Sequence, residues 1–174
     1  ELRARHPRSR LSLKRFGDGR WFLDAEPPDG FPQLEAGISL CAAAADALCG
    51  GENIIDLFAA GPELYVFRSG RHTAHFDNVL EILASLAPCR DNPFTSLAPT
   101  ILDELTGLSA AVLVLLDWDD SRRQLARAVL EAGCSLKVVI VRDGPTSESF
   151  DEDELPDVTC WTPEDVRQGV VEVL

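Results

Sequence analysis

Methionine is absent from the 174 residues, tyrosine occurs once and histidine three times. With only His6, His72 and His75 available, a cysteine nucleophile has few histidines to activate it. His72 and His75 have a ligand-like spacing, but no second pair of donors lies close in sequence, so a polar turn is the better reading than zinc. Long apolar runs are missing too. The longest uncharged stretch, 105–116, has 12 residues and contains Gly107, whereas a bilayer span needs about 20 apolar residues. There is no Gly-Lys pair for a phosphate-binding P-loop, Gly17-x-Gly19 precedes its strand instead of following it, and no G-x-S-x-G elbow occurs. The five cysteines include no CxxC and leave one odd in any pairing. Cys41 and Cys49 are eight residues apart on an expected helix, about 12 Å along its axis and too far to bridge. Reduced, mostly buried thiols in a cytosolic setting follow. The chain opens on charged residues without a starting Met, which reads as a piece excised from a longer protein rather than as a signal sequence.

Apolar residues make up 45% of the chain, enough for a proper core, and the length fits one domain. Disordered and collagen-like readings are excluded. The 16 basic and 29 acidic residues give a net charge of −13, unevenly spread. The first 20 residues hold seven of the positives (Arg3, Arg5, Arg8, Arg10, Lys14, Arg15 and Arg20) against Glu1 and Asp18. The remainder is strongly acidic and lacks the basic patch that nucleic-acid binding needs, so no nucleic acid is expected as a partner. Residues 1–16 read as a basic arm or linker from a missing upstream region, lying against an acidic body formed by residues 17–174.

Strands are expected at 20–24, 53–59, 63–68, 110–116, 137–141 and 158–161. Helices are expected at 34–48, 76–87, 95–105 and 122–132, with a last one opened by Thr162-Pro163-Glu164-Asp165. The short link around Gly61-Pro62 suits an antiparallel hairpin and cannot hold a parallel crossover. Residues 148–157, with six acids in ten, read as a solvated loop. The order predicts an α/β fold: a doubly wound, mostly parallel sheet with one antiparallel edge strand at 63–68 and helices on both faces. In it, 20–24 and 110–116 are the central neighbouring strands, flanked by 53–59.

Open α/β sheets bind ligands beyond the carboxyl ends of their strands. Two strands end in acids there: Asp24 with Glu26, and Asp117 with Asp119 and Asp120. With Thr95 at a helix start they would form an oxygen-rich pocket of the kind a hard divalent cation takes. The plain alternative is that Asp119, Asp120 and Thr95 cap helices while the other acids solvate loops. Trp21, Trp118 and Trp161 each abut a strand, as core or rim packing residues do.

The hairpin within a doubly wound order and the acids at these strand ends resemble the von Willebrand factor A domain. More closely, the chain is similar to the C-terminal part of domain of unknown function 58, a bacterial family often encoded beside MoxR-type AAA+ ATPases. Ala4-Arg5 followed by Leu11-Ser12-Leu13-Lys14-Arg15-Phe16 resembles the end of that family's basic signature, and 22–48, 53–86 and 110–144 follow its pattern of strands and helices. The resemblance implies a non-enzymatic protein-interaction module, with an AAA+ ATPase as partner in assembling or remodelling a complex. It also implies a cytoplasmic domain that meets a membrane only through missing upstream segments. The adhesion-site motif of A domains, D-x-S-x-S, is matched here by Asp24-Ala25-Glu26-Pro27-Pro28, with both serines replaced. Thr95 and Asp117 match the family's later Thr and Asp. Asp24, Glu26, Thr95 and Asp117 are therefore expected to form a degenerate site holding no cofactor, with Mg²⁺ or Ca²⁺ as the ions such a set would take. The competing class is a metal-dependent phosphoryl-transfer domain, receiver or phosphatase in type, with Asp24 or Asp117 as phosphoacceptor. Against it, Lys137 opens its strand instead of closing it, and Arg142 replaces a lysine imperfectly.

Overall fold

A computed structural model describes residues 10–15, 21–26, 30–49, 54–61, 64–68, 76–89, 92–150, 155 and 157–170. The fold is α/β, and the chain divides into two compact units, Glu1–Pro32 and Gln33–Leu174.

In the first unit, β1 (Arg10–Arg15) pairs antiparallel with β2 (Trp21–Glu26), placing Ser12 opposite Asp24 and Arg10 opposite Glu26. The boundary expected after residue 16 thus falls between two paired strands. Part of the stretch read as an arm is a strand, and RLSLKR carries the period-2 alternation that a strand requires. The expected pairing of 20–24 with 110–116 is not found: the partner of β2 is β1.

The second unit opens with α1 (Pro32–Cys49), whose Ala-rich sequence keeps one face small. There follow β3 (Asp56–Ala60), β4 (Leu64–Arg68), α2 (Phe76–Ala84), α3 (Phe94–Glu104), β5 (Ala110–Leu115), α4 (Asp120–Glu131), β6 (Ser135–Val141), β7 (Val158–Trp161) and α5 (Pro163–Gln168). β3 and β4 form the expected antiparallel pair, Asp56 opposite Arg68 and Ala60 opposite Leu64. Gly61 follows β3 at a close approach, where an added Cβ would stand 3.0 Å from the Ala87 carbonyl oxygen.

β5, β6 and β7 are parallel in that order. β6, not β5 as its sequence suggests, is the middle strand. Val138 to Val141 are all essentially buried, whereas Val112 of β5 stays 38% exposed. Both runs are continuously apolar, so their order depends on neighbours that composition does not reveal. Side chains alternate across the sheet. Val139 and Val141 pack on Ala36 and Leu40 of α1, with Val114, Leu116 and Trp161 beside them. On the opposite face Val138 and Ile140 join Leu115, Trp118, Ala126 of α4 and Leu155. Farther along, Ala45 of α1 packs with Val79 and Leu83 of α2 and with Leu57 and Phe67 of the β3–β4 pair. One helix therefore covers residues from both sheets of this unit.

Residues 148–157, read as a solvated loop, correct a second expectation: Leu155 lies in the core at 4% exposure and Phe150 packs against the same cluster. These two apolar side chains of the β6–β7 connection cover part of the sheet face that Val138 and Ile140 share.

Replacing Ile140 by Ala should cost about 2–5 kcal/mol, as for other buried Ile-to-Ala changes. Val112→Ala should cost less than about 1 kcal/mol. Urea unfolding of the two variants checks this ranking, and equal losses would contradict β6 as the middle of the core.

Candidate functional site: the carboxyl-end rim of the parallel sheet

At the carboxyl end of a parallel strand the backbone runs out of ladder partners, and its buried carbonyls need donors from elsewhere. Gln33, in the first turn of α1, supplies them: its side-chain amide donates to the Leu116 carbonyl and, at 2.8 Å, to that of Val141. One side chain thereby ties together the ends of β5 and β6.

Asp117 stands just beyond that tie. Its Oδ1 accepts the backbone N–H of Trp118 and of Ser147, each at 2.8 Å. Its Oδ2 accepts the Ser147 hydroxyl at 2.5 Å and pairs with Arg142 at 2.8 Å. Four donors fill the roughly four lone-pair directions of a carboxylate. Burial is the largest influence on this carboxyl and pushes its pKa up. The Ser147 and Trp118 hydrogen bonds and the Arg142 charge together outweigh burial and leave the pKa below the ordinary carboxylate value.

Asp119 is filled in the same way. It is the N-cap of α4, accepting the Arg122 N–H at 3.0 Å and the Ser121 hydroxyl at 2.7 Å on Oδ1. Oδ2 takes the Arg122 guanidinium and, at 3.2 Å, the Asn92 amide. Here too burial raises the pKa most, and the bonds from Ser121 and Arg122 overcome it, so the net shift is downward. The expected cap at Asp119 is present, and Asp120 follows as the first residue of the helix.

Thr95 is the second residue of α3, which begins one residue earlier than expected. The preceding turn is held at the rim by Asn92, which bonds Asp119 and Ser121 and accepts the Phe94 N–H at 3.0 Å. Asp24 and Glu26 lie on β2 in the other unit. The side chains of Asp24, Glu26 and Thr95 lie outside the described residues, as do His72 and His75. Among the described residues, no group of three or more His, Cys, Asp or Glu is arranged to hold a metal ion, and no helix is long and apolar enough to cross a membrane. Lys137 is occupied by Asp157 at 3.1 Å.

The segment 142–150 completes the rim. Besides the Ser147 contacts to Asp117, the Glu148 N–H donates to the Trp118 carbonyl at 3.0 Å. The Glu148 carboxylate pairs with Arg123 at 2.9 Å, and Arg123 also donates to the Ser149 carbonyl at 3.1 Å. These partners are largely at the surface, where an ion pair contributes roughly 0–1 kcal/mol. Beneath lies Trp118, fully buried, whose indole N–H has no hydrogen-bond partner among the described residues. The Nε of Arg122 is likewise buried without a partner, while the guanidinium lies 4.7 Å over the Phe94 ring.

Burial drives the Cys41 thiol up to about 11 and also raises Cys160, so neither of these two is primed as a thiolate nucleophile. Gln33, Asn92 and Ser147 carry no motif that marks them in the sequence. Their partners are set by chain segments that meet only on folding.

No protein-family model, curated protein or solved structure matches the chain.

Asp117→Asn should destabilise the protein by roughly 1–3 kcal/mol near neutral pH, because the change removes the charge that pairs with Arg142 and one of the two accepting oxygens. The folded pKa of Asp117 lies below the unfolded value of about 3.9. Its stabilisation is therefore complete above that value and is lost as the pH falls through the lower folded pKa. Urea titrations of parent and variant should show a gap that narrows below about pH 3.9. A gap independent of pH would contradict the charged anchor.

Proposed function

We propose that the chain is a non-enzymatic protein-interaction module with a von Willebrand factor A-like fold, working with a MoxR-type AAA+ ATPase in the assembly or remodelling of another complex. The observation that carries the non-enzymatic reading is the state of the rim carboxylates. Asp117 and Asp119 each accept four protein donors, which leaves neither free to ligate a metal or attack a phosphoryl group. The same observation counts against the phosphoryl-transfer alternative. The AAA+ partner and the cytoplasmic setting rest on the sequence resemblance.

The A-like reading is supported by α1, which packs on residues of both the β5–β6–β7 sheet and the β3–β4 pair, as a helix covering a doubly wound sheet does. The set Asp24, Glu26, Thr95 and Asp117 fits Mg²⁺ poorly. Glu26 and Pro28 stand where an adhesion site has serines, and Mg²⁺ requires near-ideal octahedral geometry.

Three measurements on the intact chain test the proposal. Calorimetry with Mg²⁺ and Ca²⁺ should show no micromolar binding, incubation with acetyl phosphate should leave the intact mass unchanged, and a MoxR-type ATPase from the same genome should co-elute with the chain. Mg²⁺ binding abolished by Asp117→Ala, or a phosphoryl adduct at Asp117, would overturn the non-enzymatic reading. Absence of co-elution would remove the ATPase as partner.

A further inference from the structure

The segment 142–150 sits where an α/β sheet ordinarily presents its ligand-binding rim. Its attachments differ from those of the strand it follows. β6 is held by ladders on both sides and by side chains buried on both faces. Between Arg142 and Ser149, by contrast, the described ties are polar: the Arg142 N–H to the Trp161 carbonyl at 2.9 Å, the Arg142 side chain and Ser147 to Asp117, Glu148 to Trp118 and Arg123, and Ser149 to Arg123. Residues 143–145 and 147–149 are exposed. At its far end Phe150 packs on the cluster containing Trp118, whose indole N–H has no partner while the segment is closed.

We infer that residues 142–150 form a strap, latched by Asp117 over the Trp118 side of the rim, which opens as a unit while β6 and α4 stay folded. The balance of forces favours local opening. Apart from Phe150, closure rests on polar contacts between partly exposed groups, with side-chain exposures of 22% at Asp117 and 30% at Arg142, and the Trp118 indole N–H beneath it has no partner among the described residues. Opening lets Arg142, Arg123 and Glu148 exchange their partners for water and gives the Trp118 indole access to an acceptor. Regions with few buried apolar contacts are the ones that open below the global unfolding free energy. In the closed state the strap covers the rim and supplies donors to both oxygens of Asp117. This inference rests on the rim geometry alone and stands apart from the choice of partner.

Hydrogen exchange resolved to single amides, on the intact chain, tests it. In the parent, the Ser147 and Glu148 amides should exchange at least tenfold faster than those of Val139 and Ile140. Asp117→Asn, which removes the charge and one accepting oxygen, should speed the strap amides at least tenfold further, while the β6 amides speed only by the factor that the variant's loss of global stability in urea accounts for and stay at least tenfold slower than the strap. Ser147→Ala, which deletes one of the four donors, should give a smaller increase in the strap amides. Should Asp117→Asn fail to fold, Ser147→Ala carries the test. Strap and β6 amides exchanging together in the parent, or strap amides unmoved in a folded variant, would overturn the inference. So would strap and β6 amides exchanging at equal rates in both variants.

Discussion

Every polar group left at the carboxyl end of a parallel sheet must find a partner once the ladder stops, and the rest of the Gln33–Leu174 unit is arranged around meeting that demand. Gln33 closes the ends of β5 and β6 from the α1 side. Asp117 gathers the backbone of its own turn, the crossover and Arg142. Asp119 gathers the start of α4 and the turn before α3. Three helices and a crossover are thereby fixed to one edge of the sheet by three side chains. The apolar layers on either side then determine how tightly the assembly packs.

We take this arrangement to favour one of two uses of an acidic rim. Carboxylates meant for a metal or a phosphoryl group keep an open coordination direction. Those at 117 and 119 are instead saturated by protein donors that hold both below their ordinary pKa. They act as charged anchors for the turns and the crossover around them. Arg142 illustrates the difference. A cation at the rim would serve phosphoryl transfer if it faced an incoming substrate, but its guanidinium is paired with Asp117 itself.

Local signals in the sequence carried far. The Asp119 cap of α4, the Thr162–Asp165 capping box of α5 and the short link through Gly61 are fixed by chemistry within a few residues, and each appears where that chemistry places it. The alternation in RLSLKR was equally legible, but four of its six residues are polar or basic, and that composition masks the period. Strand order was not legible, because β5 and β6 are both continuous apolar runs in sequence and only their neighbours distinguish them. Of the candidate site, Asp117 was legible as an acid after a strand, but its role was not. That role is set by Ser147, 30 residues away, just as the closing role of Gln33 is set by carbonyls 83 and 108 residues distant. Phe150 and Leu155 were hidden by the acids around them, since a count of charges says little about two apolar side chains that a crossover needs.

The central claim is that the Asp117 carboxylate is a saturated internal anchor. Carbon-detected NMR titration of its carboxyl group, run with and without millimolar Mg²⁺, examines this at the atom concerned. The account predicts a pKa below the usual range for aspartate and a resonance that Mg²⁺ leaves unmoved. An ordinary pKa, or a resonance that shifts saturably with Mg²⁺, would contradict it.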